Sequence, residues 1–229
     1  MEIKYILFDI DDTLFPTTEF AERARKNAIN AMIEIGLNKN PKKLYTMLLE
    51  IIKEKGSNHP NHFNILINKL KIKGPKSKYI ASAVAAYHST KNAIFPYPAV
   101  PRTLLKIRDR YRIYIASEGS GVKQWDKLIR LKIALFFDDV FISEDLKIKK
   151  SRKFYQMIIK LIKANPEECL MIGDKPDTDI KYAKQAGMKT IRLLTGKYSN
   201  EKSEADIEIK NFYNLLKAIR KLNSTLKKI

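Results

Sequence analysis

The first apolar run of the chain, Tyr5-Ile6-Leu7-Phe8, stops abruptly on acids in Asp9-Ile10-Asp11-Asp12-Thr13. So short a run, closed so sharply, predicts a buried strand whose carboxyl end opens onto solvent or ligand. From about Thr17 to about Ile94 the period turns helical. Phe20, Ala24, Ala28, Met32 and Ile35 recur at helical spacing up to Gly36. Asn40-Pro41 then gives a cap and a first-turn proline for a second helix ending at Gly56. A third helix is expected from about Pro60 to Gly74, and a fourth from near Pro75. Four amphipathic helices joined by glycine-marked turns predict a small bundle.

Beyond Phe95-Pro96-Tyr97-Pro98 the period changes again. Helices near Val100–Arg110, Val122–Leu131, Arg152–Lys163 and Asp179–Ala186 alternate with strands Ile113–Ala116, Val140–Ile142, Leu170–Ile172 and Thr190–Leu193. That alternation predicts an α/β, doubly wound parallel sheet. The helical module at 17–94 is thus inserted into an α/β domain made of 1–16 and 95–229. A last amphipathic stretch from Phe212 to Ile229 carries Leu215, Leu216, Ile219 and Leu222 on one face, and reads as a helix on the sheet.

Composition changes this picture little. The chain has 229 residues, 45% of them hydrophobic, enough for a substantial core. A single cysteine, Cys169, in an apolar run, excludes a disulfide framework and a cysteine-based zinc cluster. No run approaches the ~20 apolar residues of a membrane helix. The chain start lacks a secretory pattern, so no membrane partner and a cytoplasmic location are the default expectations. The formal charge of +19 is the unusual property. Its lysines are spread along the chain, which favours a solvated basic surface of thermophile type. Nucleic acid is the minority reading of that charge, and an electropositive entrance would also attract phosphorylated substrates.

Chemistry collects at the predicted strand ends. Three carboxylates within four residues, Asp9, Asp11 and Asp12, call for a hard cation such as Mg²⁺, which takes carboxylate and phosphate oxygens. The bland alternative is an acidic turn that caps a helix. The second strand ends in Ser117-Glu118-Gly119, a hydroxyl with free backbone N–H groups suited to a phosphate oxygen. Near the third lie Lys147, Lys149 and Lys150, any of which could neutralise phosphate charge. The fourth is followed by Gly173-Asp174 and then Asp177 and Asp179. Taken singly, each has an ordinary explanation as cap or solvated surface. Acid, hydroxyl, cation and acid at four successive termini do not.

In order and spacing these residues resemble the four motifs of the haloacid dehalogenase (HAD) superfamily, along the whole chain. The motifs are Asp9-Ile10-Asp11-Asp12-Thr13, Ser117, a lysine, and Gly173-Asp174 with Asp179. The inserted bundle looks like that superfamily's first type of helical cap, on a Rossmann-like core. Gly56-Ser57-Asn58, His62-Phe63 and Lys123-Gln124-Trp125 resemble its archaeal subgroup of glyceraldehyde 3-phosphate phosphatases.

The resemblance implies a phosphatase acting on a small phosphorylated metabolite. Asp9 would be the nucleophile forming an aspartyl-phosphate, and Asp11 the general acid and base. Mg²⁺ would be held by Asp9, the Asp11 carbonyl and Asp174, with Asp179 orienting metal waters or the lysine. Ser117, the Glu118 amide, Gly119 and the lysine would bind phosphate, and Thr13 would seat the turn. Members usually show Lys-Pro at the third motif. Here Lys149-Lys150-Ser151 stands instead, and aligning Phe154-Tyr155 favours Lys149 while leaving Lys147 and Lys150 open. Asn58 and His62 are candidate specificity residues, with Glu19 and Arg23 behind them. A phosphomutase of the same superfamily and a basic nucleic-acid-binding protein are the competing functions, and the chain is expected as a monomer or homodimer. All of it requires Asp9 and Asp174, far apart in sequence, to meet.

Overall fold

The computed structural model describes residues 2–226. In chain order, strand β1 (Tyr5–Phe8) precedes four helices, α1 (Thr17–Glu34), α2 (Pro41–Lys55), α3 (His62–Lys69) and α4 (Lys76–Thr90). Then come α5 (Val100–Arg108), β2 (Arg112–Ser117), α6 (Gly121–Arg130), β3 (Asp139–Ile142), α7 (Arg152–Leu161) and β4 (Cys169–Gly173). A π-helical turn, Pro176–Lys181, runs into the short α8 (Tyr182–Gln185). The chain continues through β5 (Lys189–Leu193), β6 (Ile207–Ile209) and α9 (Leu215–Leu226).

The chain divides into two compact units, Glu19–Ile94 and the remainder. In the larger, six strands form one sheet in the order β3-β2-β1-β4-β5-β6, parallel at every pairing. Ile6, Leu7 and Phe8 are each wholly buried, as expected of a strand covered on both faces. Alternation sorts their side chains. Leu7, Tyr114, Ala116, Cys169 and Met171 pack against Phe154, Tyr155, Ile158 and Ile159 of α7 and Ala183 of α8. Phe8, on the opposite face, meets the rings of Phe137 and Phe212 at 6.2 and 6.1 Å. Burying a side chain of this size is worth roughly 1.5–3 kcal/mol, so β1 is among the most firmly held strands.

Two consequences position the chemistry. The strand order reverses direction between β1 and β4, and in open α/β sheets a crevice forms outside the strand ends at such a point. Register then decides what meets there. Phe8 lies opposite Ile115 on one side and Ile172 on the other, so Asp9 stands level with Ala116 and Gly173, and Ser117 and Asp174 follow one residue beyond.

The smaller unit is wholly helical, with Ala28, Ile29, Met32, Leu44, Leu48, Ile51, Leu66, Ile67 and Ala83 as its core. Asn40 caps α2 by accepting the Lys43 N–H at 3.1 Å, and Gly56 ends it at φ +83°. The third helix is shorter than its apolar pattern suggests. It stops at Lys69, and Lys71 at φ +49° turns the chain before Gly74 is reached. Strand β6 was not predicted. No helix among the described residues is long and apolar enough to cross a membrane.

Candidate active site

The three acids of the opening motif have three different partners. Asp9 is 1% exposed, and its Oδ1 accepts from Ser117 Oγ at 3.1 Å and Lys150 Nζ at 2.9 Å. Asp11 is paired with Lys127, whose Nζ lies 2.5 and 2.8 Å from its two oxygens, and accepts from Thr17 Oγ1 at 2.5 Å. Asp12 turns away in a left-handed conformation, φ +53°, and accepts the Thr18 N–H at 2.9 Å and its hydroxyl at 2.6 Å at the start of α1. A Cβ on Gly196 would stand 2.5 Å from the Asp12 carboxyl carbon, so only glycine lets that segment pass. Thr195 Oγ1 also donates to the Asp12 carbonyl. Asp12 is a clamp for the turn, and Thr13 is wholly buried beside it.

Ligating oxygens of Asp9, Asp174 and Asp179 lie within 4.8 Å of one another. Asp174 follows directly from β4, and its carbonyl accepts from Arg192 Nε at 3.0 Å. Arg192 is fully buried and also donates to the carbonyls of Tyr198 and Glu201 and to the Glu208 carboxylate, tying the loop beyond β5 to Asp174. The π-helical turn folds Asp179 back, so that its Oδ2 takes the N–H groups of Asp174 and Lys175 at 3.1 and 3.0 Å. A Cβ on Gly173 would lie 2.3 Å from that same oxygen. Asp179 Oδ1 pairs with Lys150 at 2.5 Å. Asp179 thus holds the lysine and the loop, and its oxygens are committed; the residues with free ligating atoms are Asp9 and Asp174.

The lysine corrects the sequence alignment. Lys149, expected there, is solvent-exposed, as is Lys147. Lys150 has a fully buried side chain bridging Asp9 and Asp179. In the turn after β3, Leu146 and Ile148 pack against the sheet core and Lys150 is buried after them, while Lys147 and Lys149 face solvent. The Gly119 amide is also not free, because it donates to Ser143 Oγ at 3.0 Å. Glu118 has an exposed side chain, and its carbonyl accepts from Gln124 at 2.8 Å. Asn58 and His62 belong to the helical unit, where Asn58 is exposed and the His62 ring sits 2.9 Å from the Gly56 carbonyl. Glu19 and Arg23 are exposed in that unit. Sequence reasoning missed Lys127 and Arg192, and it named Gln124 only within Lys123-Gln124-Trp125 without giving it a place in the site.

Burial shapes the electrostatics. It pushes the Asp174 carboxyl up to about 9, with the Asp179 and Asp9 carboxylates adding to the rise. Asp179 is raised too, burial outweighing its lysine partners. Burial would lower Lys150, but Asp179 and Asp9 outweigh it and hold the ammonium above its ordinary value. Asp11 runs the other way: burial works upward, yet Lys127 with Thr17 keeps the carboxyl below its ordinary value.

Asp9 Oδ2 and both Asp174 carboxylate oxygens are buried without a hydrogen-bond partner. Unpaired buried acceptors of this charge are costly, and a hard divalent ion bound by carboxylates satisfies all three. The residues therefore fit Mg²⁺ on their own chemistry.

A pH-dependent outcome follows. Asp174 binds its proton more tightly folded than unfolded, so without divalent ions its own contribution to stability is fullest below about pH 4 and is lost as pH rises toward about 9. Mg²⁺ takes the proton's place, so the gain in Tm on adding it should be small at pH 5 and grow up to pH 9. At a hundredfold excess over Kd the gain approaches about 2.7 kcal/mol. Thermal melts with and without Mg²⁺ across that range test it, and an Mg²⁺ shift that does not change with pH would rule it out.

A parallel sheet in this strand order, with a carboxylate-centred, cation-demanding site at its switch point, is an α/β architecture of the HAD type. A family model described as haloacid dehalogenase-like hydrolase matches residues 3–187, and the chain belongs to that family. Within it the chain is a phosphatase. It is 43% identical over 230 residues to the glyceraldehyde 3-phosphate phosphatase of Methanopyrus kandleri, covering 96% of this chain and 98% of that one. It is 38% identical over 225 residues to the enzyme of that name from Methanocaldococcus jannaschii, with 96% and 98% covered. The fold is shared with a haloacid dehalogenase-like hydrolase of Xanthomonas campestris, at TM-score 0.74 and 16% identity, covering 100% and 99% of the two chains. The magnesium-bound HAD-hydrolase YfnB of Bacillus subtilis matches at TM-score 0.67 and 18% identity over 96% and 99%.

Proposed function

We propose that the chain hydrolyses a small phosphorylated metabolite of the glyceraldehyde 3-phosphate class, with Mg²⁺, through an aspartyl-phosphate on Asp9. The observation that carries this is the set of orphaned oxygens on Asp9 and Asp174 beside a buried hydroxyl and a buried ammonium. In the first step an Asp9 carboxylate oxygen attacks phosphorus, and the ester P–O bond breaks in line. Asp11 acts from its protonated form, which its pairing with Lys127 disfavours at rest, and gives that proton to the departing alkoxide. In the second step water attacks the acyl phosphate while the Asp11 carboxylate takes its proton, releasing phosphate and restoring Asp9. Lys150 holds the Asp9 carboxylate and has further N–H donors for the equatorial phosphoryl oxygens, as does the Glu118 amide. The single Ser117 O–H, now on Asp9, turns to a phosphoryl oxygen when substrate binds. Asp9, Asp174 and the Asp11 carbonyl would hold Mg²⁺, which when bound neutralises charge on the transferring group.

The helical unit serves in this proposal as a cap that selects the substrate, with Asn58 and His62 its candidate contacts. The two archaeal relatives support the substrate class by their names. A panel of phosphate esters, including glyceraldehyde 3-phosphate, phosphoglycolate and sugar phosphates, assayed with and without Mg²⁺, tests the proposal. Turnover confined to small esters and dependent on Mg²⁺ is the expected result. Metal-independent phosphate release would reject the site. Transfer of the phosphoryl group to a second sugar, with no free phosphate, would make the chain a mutase.

A further inference from the structure

We infer that Lys127, assisted by Gln124, is the positioning residue for the Asp11 carboxylate. The inference rests on the proposed role of Asp11 as general acid and base. Lys127 is the one cation paired with Asp11 among the described residues, and neither side chain is more than a quarter exposed (24% and 21%). Gln124 is 2% exposed, and its Nε2 lies 3.3 Å from Asp11 Oδ2, 3.1 Å from Ser117 Oγ and 2.8 Å from the Glu118 carbonyl. Asp11 Oδ1 thus faces Thr17 and Lys127, while Oδ2 faces Lys127 and Gln124.

Three residues apart on α6, Gln124 and Lys127 share one helix face. The opposite stripe, Val122, Trp125 and Ile129, is exposed. The start of the helix is fixed: the Gly121 N–H donates to Glu144 at 2.8 Å, and a Cβ there would stand 2.5 Å from Asp145 Oδ1. A rigid helix directly after the Ser117 strand end therefore reaches back to the acid of the first motif.

The need for such a residue is electrostatic. Asp11 sits two positions from Asp9, and the buried cluster of Asp9, Asp174 and Asp179 repels a further carboxylate. Left unpaired, Asp11 would rotate outward toward solvent. A proton donor misplaced by about 1 Å can cost about a hundredfold in rate. Lys127 touches neither phosphate nor leaving group in this account; it acts through Asp11.

Leaving-group chemistry separates positioning from mere support. An alkoxide must be protonated as it leaves, whereas p-nitrophenolate leaves unaided. Because kcat/KM reports the first chemical step, it is the quantity to compare. In Lys127→Met we expect kcat/KM for the alkyl ester turned over fastest in the panel to fall about 30- to 100-fold. For p-nitrophenyl phosphate the fall should stay within about threefold, and Lys127→Arg should recover part of the alkyl-ester loss. In an Asp11→Asn background, Lys127→Met should have no further effect, since residues acting as one unit are not additive. Equal losses on both esters, or additive losses in the double variant, would overturn the inference. If Asp11→Asn itself fell equally on both esters, the acid–base role would be lost and the inference with it. Should Asp11→Asn discriminate between the esters while Lys127→Met does not, only the positioning role would be lost.

Discussion

Asp9→Asn is expected to abolish turnover of every phosphate ester, by about 10⁴-fold or more, while leaving the fold intact. The amide oxygen can still accept from Ser117 and Lys150, at the positions where the carboxylate oxygen now lies 3.1 and 2.9 Å away. What it cannot do is attack phosphorus, because the neutral amide lacks the negative charge that makes the carboxylate oxygen a nucleophile. Nor does the substitution strain the sheet, since β1 is held by its apolar residues and the Asp9 N–H donates to the Ile172 carbonyl at 2.9 Å through the backbone. Stability in the absence of divalent ions should change little, because neutralising Asp9 relieves repulsion on Asp174 and Asp179 but also removes the charge of its buried pair with Lys150. Phosphate release and a thermal melt measure the two halves of this result. Acid quenching of the wild type during turnover should also trap label on the peptide carrying Asp9, and none in the variant. Turnover by Asp9→Asn within about a hundredfold of the wild type would remove the nucleophile from Asp9.

Why the site was largely visible in the sequence is a matter of strand geometry. A parallel strand buried on both faces is written as an unbroken apolar run, and its end is marked where the run meets acids, as at Phe8-Asp9 and Gly173-Asp174. Ser117 follows the same logic at the end of β2. Strand β6 left no such mark: Ile207-Glu208-Ile209 is three residues at the sheet edge, set in a charged stretch that reads as loop. The helix expected over Asp179–Ala186 is a π-helical turn before a short α-helix. A 3.6-residue period does not reveal that the Ile180 N–H reaches the Lys175 carbonyl, five residues back, at 3.3 Å. That extra residue is what aims Asp179 at the amides of Asp174 and Lys175.

The cations were harder, and for a different reason. In a chain with 44 lysines and arginines, residue type carries almost no information about which ammonium is buried. Position does, but Lys150 is buried by a turn after β3, with Lys147 at φ +55°, and neither a strand nor a helix period in the sequence marks such a position. Lys127 offered no more. Its helix face becomes meaningful only once α6 is known to start beside Ser117, and Arg192 looked like one polar residue in an apolar strand.

Lys150→Met should therefore be crippling where Lys149→Met is silent. Removing the Lys150 ammonium leaves Asp9 and Asp179 buried without their shared ion pair, with Lys175 the remaining cation that acts on both. Breaking a buried pair in this way typically costs 3–5 kcal/mol, of the order expected here, about 3. Catalysis should fall about 10³-fold in addition, because in the proposed mechanism this ammonium is a donor to the phosphoryl oxygens. Bound Mg²⁺ should restore part of the lost stability by resupplying positive charge to the carboxylates, but not the rate, which needs a donor at that one point. Lys150→Arg is no rescue: the site encloses the side chain completely, and a planar fork does not fit where a compact ammonium did. Lys149→Met, on an exposed side chain, should change stability by about 0.5 kcal/mol or less and leave the rate within a factor of about two. Denaturant unfolding and phosphate release on the two variants side by side decide the matter. Comparable losses in both would mean that net charge near the entrance, and not one buried contact, is what the third strand end contributes.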